Sequence, residues 1–189
     1  MLKETLSLLL AAGLAPAPGA AQDPAPDAAR DAFIESQDFL ARGGGKWKGS
    51  NRDYAPENGQ PKFWGLEFEW AAGRHAVRGR ILGIHADGHV EELWTMLTAW
   101  DPARRIGVHF QVSAAGVFAD GQLLVTTEKL HQVLMRGYTR DHKRFTMRDT
   151  ARVLGPDEME TTSSYLAPDG AWQDEAPTRW KRVSSYTEG

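Results

Sequence analysis

The residues in this chain of 189 amino acids that could do chemistry are few and stand apart. His85-Ala86-Asp87-Gly88-His89 puts two imidazoles on either side of an Asp-Gly turn. A protein zinc site needs three or four convergent ligands, so the stretch reads as a polar hairpin tip and no metal site is assigned. His75, Glu92 and Asp149 are single titratable groups with no partner at motif spacing. Each could serve as a general acid or base only inside an enclosed site that shifts its pKa. The chain carries no Gly-x-Ser-x-Gly, no phosphate-cradling glycine loop and no His-Glu-x-x-His. It has no cysteine, so thiolate chemistry and a disulfide framework are both excluded. No catalytic residue and no cofactor are assigned. A formal charge of −3 leaves no polybasic footprint, which argues against a nucleic-acid partner.

The elements that would position these groups begin near the N-terminus. Met1-Leu2-Lys3, the apolar run Leu6 to Ala15 and the small-residue stretch Gly19-Ala20-Ala21 have the order of a secretory signal peptide. Residues 1–21 are read as that leader, which makes the expected location periplasmic or secreted. The run is too short to span a bilayer, and no integral membrane segment is expected. Residues 22–29 form a Pro/Asp/Ala linker, and 30–189 one barrel domain with an N-terminal helix. The helix is expected over Ala29 to Ala41, with Phe33, Ile34, Phe39 and Leu40 near one stripe and Gly43-Gly44-Gly45 as its stop. It could cover one end of a barrel or pack on its outer wall.

From Gly45 onward the pattern is short alternating strands broken by turn signals at Ala72-Gly73, Asp87-Gly88, Asp101-Pro102, Asp120-Gly121, Gly155-Pro156-Asp157 and Pro168-Asp169-Gly170. That predicts an all-β fold, an antiparallel up-and-down barrel of about ten strands. Alternation in Lys46-Trp47-Lys48 sets the indole on one face and both ammonium groups on the other. The closing stretch Arg179-Trp180-Lys181-Arg182 could lie beside it and stack a guanidinium on Trp47.

Hairpin parity predicts the lumen face. The turn at 72–73 sets Trp70 opposite His75 and Phe68 opposite Val77. The turn at 87–88 sets Ile81 opposite Trp94 and Gly79 opposite Met96, with Glu92 on the same face. A three-residue loop after Asp101 sets Trp100 opposite Ile106 and Met96 opposite Phe110. Trp64, Phe68, His75, Trp94, Met96 and Phe110 then share one inner face. On the later strands the arginines at 144, 148 and 152 must face water, which sends Met147 and Asp149 inward, with Tyr165 in the next inner row. The opposite register would bury Arg78 and Arg80.

With the Gly45-x-Trp47 opening and a late arginine, Arg179 or Arg182, the chain resembles the lipocalin-like, calycin-type barrels. The Trp100-Asp101-Pro102 turn and the closing Trp180-Lys181-Arg182 are similar to those of a bacterial barrel family known only as a domain of unknown function. The resemblance implies structural roles for Gly45, Trp47 and Arg179 or Arg182, and a lumen that holds a small apolar or amphipathic molecule. The haem-binding relatives use an axial histidine on a late strand; His142 sits in a turn and His131 opens a strand, so the haem reading is set aside. Two other classes stay open: an enzyme that uses the same cavity through His75, Glu92 or Asp149, and a solid-core structural or interaction module with no ligand. The residues do not name the ligand.

Export has a direct check. N-terminal sequencing of the protein from its own host should find the first 21 residues gone, and a mature chain that begins at Met1 would exclude the leader.

Overall fold

The computed structural model describes residues 27–127 and 130–187. The expected leader at 1–21 and residues 22–26 of the linker lie outside the described residues. Helix α1 runs Ala28–Ala41, so the last linker positions already belong to it. Asp27 is its N-cap: the carboxylate accepts from the Arg30 amide at 3.3 Å and pairs with Arg105 at 2.8 Å. That bond with Arg105 also holds the Asp27 carboxyl below the ordinary aspartate range.

The strands follow as β1 (Lys46–Ser50), β2 (Phe63–Ala71), β3 (Ala76–Ile84), β4 (Val90–Asp101), β5 (Ile106–Ser113) and β6 (Phe118–Thr127). Next come β7 (Leu130–Tyr138), β8 (Arg144–Gly155), β9 (Glu158–Leu166), β10 (Trp172–Asp174) and β11 (Thr178–Arg182). Each strand from β1 to β9 pairs antiparallel with the next. The free edge of β9 is then shared: β11 takes Glu158 to Thr161, and the short β10 takes Ser164 to Leu166. β11 also pairs with β1, so the sheet closes as an up-and-down barrel of ten strand positions. Closure removes the edges that an open sheet would present.

The seam between β1 and β11 is where sequence and packing agree most closely. Trp47 is fully buried and faces Arg182 in register. The Arg182 guanidinium lies 4.0 Å from the indole centroid. It donates to the carbonyls of Arg42 at 2.6 Å and Phe39 at 2.8 Å, and to Asp157 at 2.9 Å. The indole N–H donates to the Leu40 carbonyl at 3.0 Å. One arginine thus satisfies carbonyls at the C-terminal end of α1 and closes the barrel together. Arg179, the other candidate, is exposed and pairs with Glu160 instead. Gly45 is required here: its φ is +66°, and a Cβ would sit 1.8 Å from the Phe68 carbonyl oxygen.

The helix lies over the barrel end that holds the β2–β3 and β4–β5 turns. Asp38 accepts from the Trp70 indole at 2.8 Å and pairs with Arg74, while Asp27 reaches Arg105. Phe33 packs on Trp100, Leu123 and Val133, and Leu40 on Trp47 and Met159. Of the two placements open to the helix, the end cap is the one adopted.

Three strand expectations change. The Asp120-Gly121 pair does not turn. β6 runs straight through it, because a Cβ on Gly121 would lie 1.9 Å from the Leu134 carbonyl oxygen and glycine lets β7 come close. The β4–β5 connection holds four residues, so Asp101 faces Ile106 and every β5 residue moves by one. Asp101 builds that turn itself, its Oδ1 accepting from the amides of Ala103 and Arg104. A bulge at Leu93 shifts the start of β4, so Leu82 faces Glu92 while Ile81 still faces Trp94.

Replacing the floor indole tests closure. Trp47→Ala should lower unfolding free energy by about 3–5 kcal/mol, as large core truncations do. Arg182→Ala should also lower the urea midpoint, and Arg179→Ala should leave it in place.

Candidate functional site

The barrel encloses a cavity of about 720 Å³. One wall is apolar: Trp64, Leu66 and Phe68 from β2, Ile81 from β3, and Leu93, Trp94 and Met96 from β4. These are the inward positions of period-two strands, and the Leu93 bulge sets two consecutive side chains toward the lumen. The polar groups stand mainly on the facing strands, His109 and Gln111, His131, Asp149, and Thr161 with Ser163, with Thr98 of β4 beside His109. Gln37 and Leu40 of α1 close the covered end. At the other end the mouth is bordered by Ser50 at the end of β1, by Asn51 to Asp53 after it, and by Glu175, Ala176 and Thr178 around the start of β11.

These polar groups are held by local bonds. His109 Nδ1 lies 2.8 Å from Thr98 Oγ1, and the ring's other nitrogen lies 3.5 Å from Gln111 Oε1. His131 Nδ1 lies 3.2 Å from Ser36 Oγ on the helix. Burial lowers both histidines to about 4, with the Gln111 bond opposing the shift at His109 and the nearby His109 adding to it at His131. At neutral pH both rings are uncharged hydrogen-bonding groups.

Asp149 differs. It sits mid-strand on β8, facing Val133 of β7 and Ser163 of β9. The Ser163 hydroxyl bonds its carboxylate, yet the buried Oδ1 has no hydrogen-bond partner. Burial raises its pKa to about 6; the Ser163 bond opposes this and the charge of Glu175 adds to it. A buried carboxylate with an unmatched oxygen and no cation beside it is destabilising by itself.

Of the residues expected in the site, Trp64, Phe68, Trp94, Met96 and Asp149 line the cavity. Met147 points inward but packs with Met135, Val133 and Ala119, where its sulfur accepts from the Gln111 amide at 3.9 Å. Tyr165 stands at the barrel rim, 39 % exposed. His75 and Phe110 are not in the lumen. His75 is an exposed turn residue, because the loop between β2 and β3 takes in residues 72–75 and Trp70 faces Val77; this shifts the pairing by two and keeps the parity of the rest. Phe110 is 41 % exposed on the outer wall against Phe118, because the four-residue β4–β5 loop reverses the faces of β5. Glu92 likewise lies outside, with Arg80 and Thr95, as a result of the Leu93 bulge. The same reversal brings in His109 and Gln111, which the apolar residues beside them concealed. His131 was legible in the alternation His131, Val133, Met135, at the start of its strand. His85 bonds Glu91 at 2.9 Å, and among the described residues no three metal-binding side chains converge.

No protein-family model matches this sequence, and no curated protein matches it. The site therefore rests on its own geometry.

The pKa of Asp149 makes its burden measurable. Its folded pKa lies above the ordinary 3.8, so the ionised form destabilises the fold above about pH 6. As pH falls toward 3.8 the folded state takes up the proton first and the penalty is relieved. Asp149→Asn should therefore be more stable than the parent by about 2–3 kcal/mol at pH 8. The advantage should vanish below the ordinary aspartate pKa, in paired urea titrations where the histidine contributions cancel.

Proposed function

We propose that this protein is an exported, lipocalin-like barrel that binds a small apolar or amphipathic molecule in its lumen. The cavity of about 720 Å³ carries this reading. Its volume falls within the roughly 300–1,000 Å³ of small-molecule sites. Its make-up fits as well: an aromatic wall for apolar burial, and a few polar groups that would orient a ligand. The Trp47–Arg182 floor supports the lipocalin-like likeness, and the short apolar N-terminal run supports export. A solid-core module is less well supported, because side chains leave the centre of the barrel open.

One observation favours a second reading, an enzyme in the same cavity. Asp149, raised to about 6, has the pKa of a carboxylate suited to proton transfer near neutrality. His75 and Glu92, the other candidates, lie outside the lumen, and the two lumen histidines are too weakly basic to assist. That reading thus stands on one carboxylate. A small molecule recovered unchanged after prolonged incubation favours the binding barrel, and turnover that disappears in Asp149→Asn favours the enzyme.

An apolar probe such as N-phenyl-1-naphthylamine should quench tryptophan fluorescence saturably, through Trp64 and Trp94. Trp94→Arg should abolish the quenching while circular dichroism still reports a folded barrel. No saturable quenching by the parent protein would defeat the proposal.

A further inference from the structure

We infer that the lumen selects amphiphiles with a cationic amine head and rejects those with a carboxylate head. This rests on the binding function proposed above and names its ligand class.

The charge distribution of the cavity carries the argument. Three carboxylates border it, Asp149 on β8 and Asp53 and Glu175 at the mouth. Among the described residues that line it, Arg52 is the only lysine or arginine. It is exposed on the mouth loop, next to Asp53. The charge acting on Asp149 is that of Glu175, and Asp149 in turn acts on Tyr165; neither neighbour supplies positive charge. His131 and His109, on β7 and β5, are neutral above their lowered pKa values. Arg148 precedes Asp149 on the strand and so projects from the opposite face, where it meets Ser164, Asp174 and the Trp172 ring. Apart from Arg52 at the mouth, the cavity lining thus has acceptors and negative charge but no lysine or arginine to offset them.

Asp149 provides the second, independent observation. Its Oδ1 is buried and has no donor, while Ser163 bonds the same carboxylate. The broad χ2 torsion of an aspartate lets either oxygen turn toward the cavity that the residue borders. An ammonium head brings three N–H donors and one positive charge, and so supplies both things the site lacks. Its tail would lie against Trp64, Phe68 and Met96. Beside Asp149 a carboxylate head would meet like charge in an enclosed space, with the one lining cation, Arg52, out at the mouth. An alcohol head can donate to Asp149 but leaves the charge unbalanced.

Decylamine, decanol and decanoate share one tail length and differ in the head. Titrated into the full-length protein at pH 7.5, with displacement of N-phenyl-1-naphthylamine as the readout, decylamine should bind at least tenfold more tightly than decanol. Decanoate should bind most weakly. Asp149→Asn should weaken decylamine at least tenfold and leave decanol within twofold, with the fold checked by circular dichroism. Decanoate binding as tightly as decylamine would overturn the inference, and so would a decylamine preference that survives in Asp149→Asn. In both cases decanol binding still upholds the binding barrel. If none of the three displaces the probe, the inference falls; if the probe itself fails to bind, the binding function falls with it.

Discussion

The contact between Arg182 and Trp47 is the one on which the barrel depends. Without β11 against β1, the strands from β1 to β9 would form an open sheet with two exposed edges and no enclosed space. The guanidinium stacks on the floor indole and also donates to two carbonyls near the end of α1. Helix placement and sheet closure are therefore one event. This explains why the first and last strands can be short, at five residues each. Their pairing is reinforced by a buried aromatic and by hydrogen bonds that an isolated strand pair would lack.

Once closed, the barrel has more interior than its side chains fill. The packing is uneven around it. Phe33, Leu123, Val133, Met135 and Met147 form one dense cluster, and Leu40, Trp47, Met159 and Trp180 another. The remaining space lies against the aromatic wall of β2 to β4 and the polar groups of β5 to β9. A fold under selection for stability alone would fill that space and would replace Asp149 with an apolar residue. Under the proposed binding function, the stabilising partner of this carboxylate with its unmatched oxygen arrives with the ligand.

The helix end and the mouth end differ in the same sense. At the covered end, Asp27, Asp38 and the Leu40 carbonyl tie α1 to three separate parts of the barrel. At the open end, the loop after β1 and the segment around Glu175 border the cavity without comparable ties to each other among the described hydrogen bonds. Entry from that end requires no displacement of the helix.

Much of this was legible in the residues. Alternation in β2, β3, β8 and the part of β4 after Leu93, with arginines that could not be buried, determined which side chains share a face and so placed Trp64, Phe68, Met96 and Asp149 on it. The Gly45-x-Trp47 opening and the late arginine marked the seam, although the spacing left Arg179 and Arg182 equal. Only register with Trp47 separates them. What the tertiary structure decided was the face of each strand relative to its neighbour. A period of two makes that choice depend on a single residue. Four residues after Asp101 in place of three sent Phe110 out and brought His109 and Gln111 in. One bulged residue at Leu93 sent Glu92 out, and a loop that takes in residues 72–75 left His75 in a turn. The first two counts go with Asp101 capping its own turn and with the Leu93 carbonyl accepting from the Ala114 amide. Such bonds exist only once the strands are side by side. The alternation within a strand is written in the sequence, and the loop and bulge geometry that aims it is settled by the closed barrel.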